Sequence, residues 1–235
     1  MKVTAFNGSP RGPEGNTEVM VRSLLNGAAD SGAEVENIFL SQMTINHCRG
    51  CRKCVGLGGQ CVIQDDMQIL IHKYIGSDIA VIATPLMIDN ISGMLKVFFD
   101  RTFCLGNLRL EKDETGDCRR SRSKLFEHCV MPKIVVMANS GYPERGNFLA
   151  IKQLMNRTAR NFGMKVIAEI YKSQGVLLST GIKRLRPKIE EYSKLLYRAG
   201  EEIVKYSKLL PETETALTED FMSNEDYYRL INMLN

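Results

Sequence analysis

Four cysteines, Cys48, Cys51, Cys54 and Cys61, fall within 14 residues in the pattern Cys-x2-Cys-x2-Cys-x6-Cys. Thiols at that density either hold a metal centre or exchange electrons. Structural zinc usually takes two short Cys-x2–4-Cys knuckles set well apart. Three cysteines at successive intervals of three, closed by a fourth, instead suit a compact loop wrapped around a [4Fe-4S] cube. Gly50, Gly56, Gly58 and Gly59 permit the tight turns such wrapping needs. Zinc and free or redox-active thiols stay open as alternatives. His47 reads as a surface residue or an outer support, because four thiolates already complete a site. The chain has seven cysteines, an odd number, so full disulfide pairing within it is impossible. Cys104, Cys118 and Cys129 are irregularly spaced and read as buried or incidental thiols.

A second chemical feature is the run Gly8-Ser9-Pro10-Arg11-Gly12-Pro13-Glu14-Gly15-Asn16-Thr17, between an apolar run and a helical pattern. A helix N-terminus offers unpaired N–H groups and a positive dipole end to an anion. Glycines let the backbone approach, Ser9 and Thr17 add hydroxyls, and Arg11 can add a charge-assisted contact. Neither Gly-x4-Gly-Lys-Ser/Thr nor Gly-x-Gly-x-x-Gly occurs, so a nucleoside triphosphatase and the usual dinucleotide fingerprint are both disfavoured. What remains is a cradle for one phosphate group. The plainer reading is a turn in which Asn16 or Thr17 caps the helix.

The elements that must position these residues follow from periodicity. Short runs rich in valine and isoleucine, at 2–7, 35–40, 79–84, 133–138 and 165–171, alternate with helical patterns at about 17–30, 65–74, 92–103 and 148–161. Asp65 and Asp66 suit the positive start of the second helix. Five strands with intervening helices predict an α/β fold, an open doubly wound parallel sheet of flavodoxin order 2-1-3-4-5. Residues 104–131 break the rhythm as an insertion, with a basic cluster at Arg119, Arg120, Arg122 and Lys124 that reads as a solvated face or a docking patch for an acidic electron carrier. A last helix is expected over 187–209, closing a domain of residues 1–210. An acidic tail with an apolar end occupies 211–235.

At 235 residues and 26.5 kDa the chain suits one large domain with an appended segment. Its 44% apolar and 25% charged content is that of a folded protein, and a net charge of +4 gives no reason to expect nucleic acid or a membrane surface as partner. No stretch nears the roughly 18 apolar residues of a membrane span, and no signal-peptide core opens the chain, so a cytoplasmic location is expected.

At the end of the third strand stands Thr84-Pro85-Leu86-Met87-Ile88-Asp89-Asn90-Ile91-Ser92-Gly93-Met94-Leu95-Lys96-Val97-Phe98-Phe99-Asp100-Arg101. Taken with Gly-Ser-Pro-Arg…Gly-Asn-Thr, it resembles the flavodoxin-like NAD(P)H-dependent FMN reductases over roughly residues 1–175. The resemblance implies that Ser9, Pro10, Arg11, Asn16 and Thr17 form the FMN phosphate site. It places Pro85, Leu86, Met87 and Ile88 along the isoalloxazine, with Thr84, Ser92 and Gly93 also among the cofactor-binding residues. Asn139, Ser140, Gly141 and Tyr142 form a second wall. The first loop is one residue longer between Arg11 and Gly15 than the commonest family spacing, and Met87 stands where an aromatic residue often does. Lys96 and Arg101 read equally well as structural, the one pointing to water and the other complementing Asp100.

The cysteine loop, residues 47–63, and the following Asp65-Asp66-Met67 resemble the iron–sulfur flavoproteins of anaerobes. That resemblance implies Cys48, Cys51, Cys54 and Cys61 as metal ligands, and FMN and a [4Fe-4S] cluster as cofactors. It also implies ferredoxin or NAD(P)H as electron donor and a small-molecule acceptor. A homodimer or homotetramer would bring the cysteine loop of one subunit towards a neighbour's flavin, with the tail as a clasp between subunits. No Ser/His/Asp arrangement is recognisable and no residue is expected to act as acid, base or nucleophile; the chemistry is flavin-centred. The other readings are a cluster-free NAD(P)H:FMN or quinone reductase and a flavodoxin-like binding module with structural zinc.

Overall fold

The computed structural model describes residues 1–234; residue 235, the last of the expected tail, lies outside the described residues. Five strands, β1 (Lys2–Asn7), β2 (Glu34–Phe39), β3 (Ile79–Pro85), β6 (Lys133–Asn139) and β7 (Val166–Lys172), pair in parallel in the order β2-β1-β3-β6-β7. This is the doubly wound flavodoxin-like arrangement. The central strands are apolar on both faces, as a sheet covered on both sides requires. Alternation along them divides the core. Ile79, Val81, Val135 and Met137 join one cluster with helices α1 (Asn16–Asp30) and α6 (Arg186–Tyr206). Ala80, Ile82, Ile134 and Val136 join the other, with α3 (Met67–Ile75), α4 (Gly93–Arg101) and α5 (Leu149–Asn161).

Helices α1 and α6 meet backbone to backbone. A Cβ on Gly27 would lie 1.9 Å from the Tyr197 carbonyl, and one on Gly200 would lie 2.0 Å from that of Leu24. This contact fixes the helix that emerges from the glycine-rich first loop against α6.

Three expectations are corrected. The helix expected over 92–103 ends at Arg101 and tightens into a 3-10 turn, Thr102–Leu105. Asp65 and Asp66 precede their helix, each accepting backbone N–H groups: Asp65 from Met67 and Asn46, Asp66 from Thr44. The last long helix stops at Tyr206, where Ser207 turns left-handed at φ 55°. The insertion, where the strand–helix rhythm breaks, contains an antiparallel hairpin, β4 (Gly106–Lys112) and β5 (Cys118–Arg122).

Within the cysteine loop lies the short helix α2 (Lys53–Gly56), and the tail forms α7 (Pro211–Ala216) and α8 (Asn224–Leu234). The tail packs on its own chain. Phe221 and Tyr227 are buried in the α1/α6 layer. Gln174 accepts from the Phe221 and Met222 amides at 3.1 and 3.2 Å and donates to the Met222 carbonyl at 2.9 Å. Among the described residues no helix is long and apolar enough to cross a membrane.

Candidate active site

The carboxyl ends of β1, β3 and β6 converge on one edge of the sheet, where ligands bind in doubly wound folds. The first loop is positioned from beneath. Asn7 Oδ1 accepts the Ser9 amide at 3.1 Å, and the buried Glu18 carboxylate accepts from Asn7 at 3.3 Å and Asn37 at 2.6 Å. Burial pushes the Glu18 carboxyl up, opposed by its bonds to Asn37 and Asn7 and by Arg22. Gly12 turns the loop at φ +52°, and a Cβ on Gly15 would strike Ser9 Oγ at 2.3 Å. Gly15 occupies the N-cap of α1 and has no side chain to cap with. Neither Asn16 nor Thr17 therefore caps the helix. Their side chains point elsewhere: Asn16 Oδ1 accepts from Ser179 at 2.5 Å and Thr17 Oγ1 accepts from Asn139 at 2.8 Å. Pro10 and Arg11 are exposed at the loop tip, where the guanidinium makes no ion pair among the described residues.

The second loop is tied to the third. Leu86 donates its amide to the Asn139 carbonyl at 2.7 Å. Met87 and Asn90 exchange backbone bonds around a two-residue turn in which Ile88 and Asp89 take φ 47° and 56°. A β-branched residue in that region is strained, and such strain clusters at functional sites. Ile88 is 95% exposed and Met87 47%, so an apolar tip stands open at this edge of the sheet. Thr84 and Ser92 are buried and hold the loop: Thr84 Oγ1 accepts the Ser92 amide at 3.0 Å, and Ser92 Oγ caps α4 by accepting the Leu95 amide at 3.3 Å. Gly93 is exposed at the first turn of that helix. In the third loop Ser140 is buried, its Oγ accepting the Tyr142 amide at 3.0 Å, while the Tyr142 ring is exposed and the Gly141 carbonyl accepts from Tyr227.

The cysteine loop sits at the other end of α4. Cys48, Cys51, Cys54 and Cys61 line one cavity of about 230 Å³ with Arg101 and Cys104. Burial and the neighbouring Cys61, Cys48 and Cys51 push the Cys54 thiol up; burial with Cys54 and Cys61 pushes Cys104 up to about 12. Among the described residues no three His, Cys, Asp or Glu side chains converge closely enough to hold a single metal ion.

Arg101 closes the cavity. Its side chain and that of Asp65 are each 1% exposed, and the guanidinium grips both carboxylate oxygens at 2.6 and 2.9 Å. Burial alone would raise the Asp65 carboxyl, but the Arg101 fork and Asn46 outweigh it and hold it at about 2. Arg101 thus does not serve as a helix end complementing Asp100. Asp100 pairs with Lys96 at 2.5 Å on the exposed face.

Sequence reasoning missed Glu18, Ser179, Asp65 as a partner of Arg101, and Cys104 as a cavity wall. Each is brought in by a contact distant in sequence, and even Asp65, within the Asp65-Asp66-Met67 motif, gives no sign there of its pairing with Arg101. The basic cluster is largely committed inside the chain: Arg119 pairs with Glu111 at 3.0 Å, Arg120 stands over the Phe103 ring at 4.5 Å, and Arg122 donates to the Cys129 carbonyl.

Residues 1–175 match the family described as NADPH-dependent FMN reductase. The chain belongs to that family. Among FMN reductase-like relatives, it is 39% identical over 102 residues to an iron-sulfur flavoprotein of Methanocaldococcus jannaschii, covering 43% of this chain and 52% of that protein. It is 32% identical over 164 residues to an iron-sulfur flavoprotein of Archaeoglobus fulgidus, covering 70% of this chain and 64% of that one. The chain thus spans between half and two thirds of the length of these relatives. Its fold matches an NAD(P)H:quinone oxidoreductase from Methanothermobacter marburgensis with a TM-score of 0.62 at 13% identity, over 86% of this chain and 96% of that one.

Proposed function

We propose that this protein is an FMN-dependent oxidoreductase carrying a [4Fe-4S] cluster, which relays electrons from NAD(P)H or ferredoxin to a small-molecule acceptor. The observation that carries this reading is the placement of the two candidate sites at opposite ends of α4. Ser92, at its N-cap, stands among the three loops, and Arg101, its last residue, closes the cysteine cavity. Nine residues at about 1.5 Å each make the intervening helix roughly 13 Å long.

The residues present fit both groups. The first turn of α1 has no side-chain cap, Gly15 lets the backbone close on Ser9, and Arg11 is free to pair, which together suit a phosphate dianion. Ser9, Pro10, Arg11, Asn16 and Thr17 would hold that phosphate. Pro85 to Ile88 and Asn139 to Tyr142 would enclose the ring from two sides and exclude water from it. Four cysteines around one cavity of about 230 Å³, in a tight Cys-x2-Cys-x2-Cys-x6-Cys loop rather than two separated knuckles, suit a multi-iron core better than zinc. When bound, flavin exchanges electrons singly or in pairs and the cluster passes them singly. The chain's own part is to bind, orient and insulate the groups, with no side chain in the role of nucleophile. A reducing cytoplasm would keep the cysteines available as ligands. A homodimer or homotetramer could add a shorter path by bringing one subunit's cysteine loop near another's flavin.

Purification without oxygen, followed by assay of iron, sulfide and FMN, tests the reading. About four irons and four sulfides per flavin are expected. FMN without iron would leave a cluster-free NAD(P)H-dependent reductase, and stoichiometric zinc in a colourless protein would leave a binding module.

A further inference from the structure

The buried Arg101 has more to do than join two helices. Its guanidinium spans three partners: the Asp65 carboxylate, the Asn46 carbonyl at 2.7 Å, and Cys61 Sγ at 3.7 Å. Its Nε has no hydrogen-bond partner, although it is shut off from water. A buried cation is costly, and pairing with one carboxylate is a weak reason to keep it. A second source of negative charge on the cavity side would account for it.

We propose, on the reading that the four cysteines hold a [4Fe-4S] cluster, that Arg101 is a positioning and potential-setting residue for that cluster, acting by hydrogen bonding to the Cys61 sulfur. A donor and a positive charge beside a ligand sulfur stabilise the reduced, more negative state and so raise the reduction potential. Asp65 fixes the guanidinium by a two-point grip, which aims the remaining N–H at sulfur. Asn46 connects the start of the cysteine loop to the same arginine through its carbonyl, while its amide and side chain both donate to Asp65. Both ends of the loop are therefore referred to one side chain. Lysine could not reproduce this, because an ammonium is a point charge without a planar fork.

The test is an anaerobic redox titration of the purified holoprotein, comparing wild type with Arg101→Lys and Arg101→Gln, with Lys96→Gln as a surface control. The cluster is followed by electron paramagnetic resonance and the flavin by absorbance. The expected result is a more negative cluster potential in Arg101→Lys and a larger shift in Arg101→Gln. The flavin potential and the Lys96→Gln protein should stay at the wild-type values. Arg101→Lys keeps the charge and most of the stem, so it serves if the glutamine variant does not fold. An unchanged cluster potential with full iron content would overturn the inference. Loss of iron from both variants with FMN retained would also overturn it, by reducing Arg101 to a structural prop. Wild-type protein without iron would instead remove the cluster reading itself.

Discussion

Tyr227, near the end of the chain, donates its hydroxyl to the carbonyl of Gly141, in the loop that follows β6. The next residue, Tyr228, reaches Glu144 in the same loop, and Arg145 donates to the Thr218 carbonyl. The tail is thereby strapped to the second wall of the proposed flavin crevice. Its buried apolar residues, Phe221 and Tyr227, are committed to its own chain, while Tyr228 and Met233 stay exposed.

Cutting the chain after Leu210 should therefore weaken FMN binding, and an unchanged mass would show that the tail clasps no neighbouring subunit. Tyr227→Phe removes one hydrogen bond worth about 1 kcal/mol and should weaken FMN several-fold. Flavin fluorescence titration reads both variants, and light scattering reads the mass. A truncated protein that binds FMN as tightly as the full chain would show that the strap does not support the wall.

Much of this fold is written locally. The central strands are apolar runs bounded by charge and glycine, and Ile79–Pro85 could hardly be anything but a covered strand. The hairpin was illegible for the opposite reason. In β4 every residue from Leu108 to Lys112 is exposed, so the alternation of Leu108 and Leu110 with charged neighbours builds no core face. Only the Asp113–Asp117 turn, with Gly116 at φ +83°, marks it. At the candidate site the Gly-Ser-Pro-Arg…Gly-Asn-Thr loop and the four cysteines are short-range patterns. Arg101 with Asp65, or Tyr227 with Gly141, is created by the fold bringing 36 and 86 residues of separation to zero, and no periodicity encodes it.

Arg11 is exposed at the tip of the first loop and free of ion pairs among the described residues, so the fold does not need its charge. Arg11→Gln should leave thermal stability within about 0.5 kcal/mol of wild type. Loss of a charge-assisted bond to phosphate should weaken FMN roughly 10- to 100-fold. Riboflavin, which lacks the phosphate, should bind the two proteins equally. Equal loss for both ligands would place Arg11 away from the phosphate.

Lys172, at the end of β7, is 1% exposed, with its amine over the rings of Phe221 and Tyr192 at 3.8 and 4.5 Å. Burial lowers its pKa from 10.5 to about 8, against the pull of Asp220 and Glu219. Between those values the unfolded chain binds more protons than the folded one, so stability rises with pH. From pH 7 to 9.5 the gain should be about 2 kcal/mol, and Lys172→Met should abolish the slope. Above about pH 10 the trend should reverse, because burial raises the Tyr74 and Tyr192 hydroxyls far above their usual range and they resist ionising in the folded state. Urea midpoints across that range measure the slope; a flat wild-type profile would mean that Lys172 keeps its charge unopposed.

Two glycines should separate binding from folding. A Cβ on Gly15 meets Ser9 Oγ at 2.3 Å and the Gly12 carbonyl at 3.2 Å, so Gly15→Ala must displace the hydroxyl from the cradle. A Cβ on Gly200 meets only backbone, the Leu24 carbonyl at 2.0 Å and the Ala28 amide at 2.8 Å, and neither can swing aside. Gly200→Ala should therefore force α6 off α1 and cost about 3 kcal/mol or more, through overpacking of a filled core. Gly15→Ala should cost about 1 kcal/mol, because a serine hydroxyl can rotate, yet it should weaken FMN at least ten-fold by blocking the approach of phosphate to the helix N-terminus. Denaturant midpoints and FMN affinity measured on both proteins test the contrast. If Gly15→Ala bound FMN normally, the phosphate would have to sit elsewhere than against Ser9 and the first turn of α1.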